Sequence, residues 1–130
     1  MIGLDTNVLV RFLTQDDPKQ SAKANQIISR ELTEKKPGFV SHPVLIELIW
    51  VLKFSYEQPK EALVQVIESL LVTRQLLVER ADLVYLALQK YRAGQADFSD
   101  ALIYTLAQAA GCEKTLTFDK KAKTLGMEII

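Results

Sequence analysis

Apolar residues fall in two rhythms along the chain: short unbroken runs, and longer stretches where they recur every three or four positions. The short runs are "MIGLD" at the start, "GFVS" at 38–41, "LLVE" at 76–79, "KTLTFD" at 114–119 and "MEII" at the end. Each reads as a β-strand. The longer stretches read as helices. Thr6 or Asn7 opens "TNVLVRFL", and Asp17 with Pro18 supplies a cap and a first helical residue for a helix to about Lys35. Ala22, Ile27, Ile28 and Leu32 give that helix much of its inward stripe. Pro43 opens "PVLIELIWVLK" and Pro59 opens "PKEALVQVIESLL". "ADLVYLALQKYRAG" stops at Gly94, the stretch beginning "QADFSDALIY" at 95–104 runs to near Gly111, and "KKAKTLG" is a helical turn.

Strand and helix therefore alternate throughout. The pattern predicts an α/β fold with three α/β/α layers around a central, mostly parallel sheet of about five short strands. No repeat, linker or low-complexity segment breaks it, so residues 1–130 are expected to form a single domain.

Composition narrows the function more than the fold. The chain is 48% hydrophobic and 25% charged, which is globular rather than disordered. Basic and acidic residues both number 16, so no general excess of positive charge advertises phosphate binding. A nucleic-acid role has to come from a local site. The single cysteine, Cys112, forms no internal disulfide and fits a reducing compartment. No signal-like start and no apolar run of about 20 residues is present, so a cytoplasmic protein away from the membrane is expected.

The candidate chemistry lies in the acids. In open parallel sheets, ligands bind beyond the carboxyl ends of the strands, and Asp5 and Asp119 each close a strand there. Either could equally cap the helix that follows. Glu47 is the only polar side chain across "PVLIELIWVL". A helix apolar all round is expected to be buried, and a lone carboxylate in it calls for a positive partner. That partner is either an internal arginine or lysine, or a bound ligand. Asp97 and Asp100 lie three residues apart at the start of one helix and repel each other. Capping accounts for Asp97 better than for Asp100, which is followed by Ala101, Leu102 and Ile103. Asp5, Glu47, Asp100 and Asp119 thus form a candidate quartet whose mutual repulsion a divalent cation would relieve. Hard oxygen donors without clustered cysteine or histidine suit Mg²⁺ or Mn²⁺, an arrangement for metal-assisted phosphoryl transfer.

"GLDTNVLVRFL", "IELIWVL", "ADFSDALI" and "TFDKKAK", in this order, resemble the PIN domain, in particular VapC-type toxins of bacterial toxin–antitoxin pairs. The resemblance spans essentially the whole chain and keeps all four acidic positions in order. It implies a Mg²⁺- or Mn²⁺-dependent endoribonuclease, with one or two ions per site, that leaves a 5′-phosphate and a 3′-hydroxyl. Asp5 and Asp100 would be the principal metal ligands. Glu47 and Asp119 would complete the pocket directly or through water. Asp97 would be accessory, Thr6 would support Asp5 by hydrogen bonding, and the Thr117 hydroxyl would face the site. A homodimer and a cognate antitoxin are also implied, the antitoxin laying a C-terminal segment, often with an arginine, across the acids.

Other residues carry two readings. Lys120, Lys121 and Lys123 follow Asp119 and suit either an RNA backbone or a solvated face. Arg11 could meet a phosphate or pair with an acid. His42, the only histidine, is read as structural, since one histidine does not supply metal-free ribonuclease chemistry. Cys112, Trp50 and Tyr85 are read as core. A phosphoacceptor domain or a haloacid-dehalogenase-type phosphatase would need paired acids at the end of the first strand, where "LDTN" has one. The remaining alternatives to a toxin are a housekeeping RNA-processing nuclease and a catalytically silent PIN-type binding module.

Overall fold

The computed structural model describes all residues, Met1–Ile130, as two compact units, Met1–Glu79 and Arg80–Ile130.

The first unit contains a parallel three-stranded sheet and four helices. Strands β1 (Ile2–Gly3), β2 (Gly38–Val40) and β3 (Leu76–Val78) lie in that order, with Ile2 opposite Gly38 and Gly38 opposite Leu76. Backbone bonds carry the ladder past the strand ends, from Leu4 N–H to the Phe39 carbonyl and from Glu79 N–H to the Val40 carbonyl. Gly38, on the central strand, is where a side chain would not fit: a Cβ there would lie 2.7 Å from both Leu4 Cδ1 and Leu32 Cδ1. Helices α1 (Thr6–Thr14), α2 (Pro18–Gln26), α3 (His42–Phe54) and α4 (Lys60–Val72) join and cover these strands. The first three starts have a local cause. Asp5 and Asp17 cap α1 and α2 by accepting from Thr6 N–H and Gln20 N–H, and Ser41 caps α3 through Val44 N–H. Pro18 and Pro43 occupy first-turn positions, where a missing N–H costs nothing.

The second unit is built on a helix pair. Helices α5 (Ala81–Ala93) and α6 (Phe98–Ala109) pack together, with Tyr91 and Phe98 edge to face at 5.8 Å between ring centroids. Strands β4 (Leu116–Thr117) and β5 (Glu128–Ile129) pair in parallel through a 3₁₀ turn at Ala122–Leu125. Gly126 ends that turn at φ +116°, packed against Tyr104.

The α/β class, the parallel pairing and the strand positions agree with the sequence reading. Three expectations are corrected. No one sheet carries all five strands, which form ladders of three and two. The helix after Pro18 does not run regularly to Lys35: it widens into a π turn over Ile27–Glu31 and stops at Leu32. Its buried face keeps Ile28 and Leu32 as expected but takes Ser21 and Ala24 in place of Ala22, which is exposed, and Ile27, which is half-buried. Ser21 holds that phase by donating its hydroxyl to the Arg11 carbonyl on α1.

The third correction bears on function. Helix α3 buries only the face carrying Leu45, Leu48, Ile49 and Leu52, so Glu47 is exposed and Trp50 is 60% exposed. Apolar composition all round did not bury the whole helix, and the desolvation argument for Glu47 lapses. Tyr85 and Cys112 are likewise exposed rather than core.

Candidate active site

Within the first unit, Asp5 stands immediately beyond β1, exposed, where the chain turns into α1. Its Oδ1 accepts from Thr6 N–H at 2.8 Å, leaving the carboxylate otherwise open to solvent. The support from Thr6 thus comes through its backbone. The Thr6 hydroxyl is buried with no hydrogen-bond partner in the chain. A buried hydroxyl left without a partner costs about 1–3 kcal/mol, so this one calls for a group the chain does not supply. Glu47 lies on the exposed face of α3 and makes no ion pair with an arginine or lysine of the chain.

In the second unit three acids act on one another. Asp97 occupies the cap position of α6 but its side chain makes no capping bond, contrary to the expectation, and Asp100 lies half-buried in the first turn. Burial, and then the charges of Asp119 and Asp97, push the Asp100 carboxyl above its ordinary value. The repulsion inferred from "DFSD" is therefore present, and Asp119 joins it. Asp119 is held in a tight turn: its N–H donates to Thr117 Oγ1 at 3.0 Å and its Oδ1 accepts from Lys121 N–H at 2.9 Å. The Thr117 hydroxyl thus shapes the loop that presents Asp119.

Arg11 takes the second of its two readings. Its guanidinium bonds Gln20, Asp16 and Tyr56, and Asp16 also accepts from Tyr56 at 2.6 Å and Thr14 at 2.8 Å. These bonds hold the Asp16 carboxyl below its usual value and the Arg11 guanidinium above its own. The cluster ties the turn after α1 to the chain beyond α3. His42 is structural as expected, with Nε2 at 2.7 Å from the Glu79 carbonyl and its backbone N–H on the Glu79 carboxylate. Lys120, Lys121 and Lys123 are exposed and in no ion pair. One residue of this region escaped the sequence reading: Phe118, between Thr117 and Asp119, is 82% exposed. Its signal was the aromatic in "TFDKK", directly before an acid and two lysines.

The donor set tests the fit of a divalent metal. No group of three or more acidic, histidine or cysteine side chains is arranged as a ready cage. Magnesium does not require one, since it is held by one or two carboxylates and keeps several waters. In the second unit the raised Asp100 carboxyl among like charges, and in the first unit the open Asp5 carboxylate, are each hard oxygen donors of the kind a hydrated cation takes.

Parallel strands joined by helices place the chain in the α/β class. It belongs to the PIN domain family, whose profile matches residues 2–126. It is also 29% identical over 128 residues to a VapC ribonuclease of Aquifex aeolicus (strain VF5), an alignment covering 98% of this chain and 93% of that protein. No helix is long and apolar enough to cross a membrane.

Proposed function

We propose that this protein is a metal-dependent endoribonuclease, the toxin of a VapC-type toxin–antitoxin pair, and that residues 1–130 work as one catalytic domain. The observation that carries the reading is the acid triplet of the second unit, in which burial first, and then the charges of Asp119 and Asp97, raise the Asp100 carboxyl, a penalty that a bound cation would relieve. Membership of the PIN family and the likeness to a VapC ribonuclease support the same activity.

Asp5 and Asp100 are the principal ligands of Mg²⁺ or Mn²⁺, and Glu47 and Asp119 complete the set directly or through water. When bound, the ion makes water a nucleophile at neutral pH and stabilises developing negative charge on phosphate oxygens. The chain's own groups do the rest. Asp5 is oriented by Thr6 N–H. The Thr117–Asp119–Lys121 turn fixes the Asp119 carboxylate. Water loses a proton as its oxygen bonds phosphorus, the P–O3′ bond breaks and the 3′-oxygen takes up a proton, giving a 5′-phosphate and a 3′-hydroxyl. Asp97 is accessory, adding negative charge beside Asp100.

The proposed partners are an RNA substrate, an antitoxin that covers the acids with a cationic segment, and a second copy of the chain in a homodimer, all in the reducing cytoplasm. Titration of antitoxin-free protein with Mn²⁺ in a calorimeter tests the site. Heat of binding in the wild type that Asp100→Asn abolishes supports it, whereas a well-folded wild type that binds no Mn²⁺ rejects it in favour of a silent binding module.

A further inference from the structure

Phe118 has no partner in the fold, yet it does not sit on a loose tail. The backbone on its C-terminal side is pinned by the two bonds of the Asp119 turn, and β4 precedes it directly. Leu116, two residues earlier and so on the same side of an extended chain, is also exposed. Immediately beyond Asp119, Lys120, Lys121 and Lys123 place three cations within four residues, all exposed and none neutralised by a carboxylate. Lys114, by contrast, is paired with Glu128 at 3.6 Å. In a chain with a formal net charge of zero, this is a run of three unpaired cations that follows an exposed ring directly after Asp119.

We infer that Phe118 is a nucleobase-stacking platform, and that Lys120, Lys121 and Lys123 hold phosphates of the same single-stranded RNA segment, forming a substrate subsite next to Asp119. The inference rests on the nuclease reading and adds to it where the strand lies. Single-stranded RNA offers unstacked base faces and phosphates at neighbouring positions, which an aromatic followed by lysines matches. A docking protein would instead favour an aromatic anchor whose interface core is depleted of lysine, and here three exposed lysines follow the ring within five residues. Stacking tolerates any base, so this subsite supplies affinity and register rather than sequence choice.

The test is binding in EDTA of an oligouridylate and of an abasic oligomer of equal length, to wild type, Phe118→Ala, Phe118→Trp and a triple Lys→Gln variant at 120, 121 and 123. Phe118→Ala is expected to weaken oligouridylate binding by about 5- to 150-fold, the usual range for one lost base–aromatic stack. It should leave the abasic oligomer unaffected, and Phe118→Trp should restore the difference. The triple variant should weaken both oligomers and flatten their salt dependence. Equal binding of oligouridylate by Phe118→Ala and wild type, when the wild type cuts RNA with Mn²⁺, overturns the subsite and leaves the nuclease reading standing. A wild type that neither binds nor cuts RNA removes both. Unchanged RNA binding in Phe118→Ala with an altered sedimentation coefficient overturns the inference by assigning the ring to a protein contact.

Discussion

Thr6→Val is the most searching single substitution in the first unit. It exchanges a buried hydroxyl without a partner for a methyl group of nearly the same shape, at the first position of α1. The backbone bond from Thr6 N–H to Asp5 is retained, and both residues are β-branched with similar helix propensity. What changes is the desolvation cost of the unsatisfied oxygen, about 1–3 kcal/mol. Unfolding entropy of about 2.1 cal/mol/K per residue gives this 130-residue chain about 0.27 kcal/mol/K. The metal-free variant should therefore melt about 4–11 °C above wild type in calorimetry. The same variant should cut RNA more slowly with Mg²⁺ if the hydroxyl serves the site beside Asp5. A lowered melting temperature would refute the reasoning, because it would mean that the hydroxyl is already satisfied in the free protein.

Asp100→Asn should abolish cleavage while stabilising the metal-free protein at neutral pH. The folded carboxyl is raised above the ordinary 3.8, so ionising it weakens the fold as pH rises through the folded value, and below the unfolded value the two proteins should melt alike. Melting curves at neutral and acidic pH check this sign. Tyr56→Phe removes the hydroxyl that joins Asp16 and Arg11 and should lower the melting temperature slightly. The loss should shrink on acidification, because Asp16 is held below its usual value and its contribution fades as pH falls through the folded value. Gly126→Ala should destabilise the second unit by about 1 kcal/mol or more, since it forces a left-handed φ on alanine and drives a Cβ into Tyr104. Chemical denaturation measures it.

The parts of the fold that were legible in the sequence are those with local causes. Asp5, Asp17 and the prolines at 18 and 43 fix helix starts through bonds within a few residues, and they lie where the pattern placed them. The acid pair at the head of α6 was readable for the same reason, because three residues on a helix set its repulsion. Facing is not local. The run "PVLIELIWVL" is apolar on every side, so nothing in it reveals that Leu45 and Leu48 turn inward while Glu47 and Trp50 turn out. The π turn at Ile27–Glu31 and the division of the strands into three and two depend on packing that no short window contains. Phe118 was missed because a hydrophobic residue in a strand-like run reads as core, and only its exposure shows otherwise.

The central claim is metal-dependent cleavage of RNA by these acids. It is tested most directly by incubating antitoxin-free protein and its Asp5→Asn and Asp100→Asn variants with mixed RNA in Mg²⁺, Mn²⁺ or EDTA, and typing the ends produced. The account predicts cuts bearing 5′-phosphates with either ion, none in EDTA and none from either variant. Cleavage that persists in EDTA, or that survives both substitutions, would contradict it.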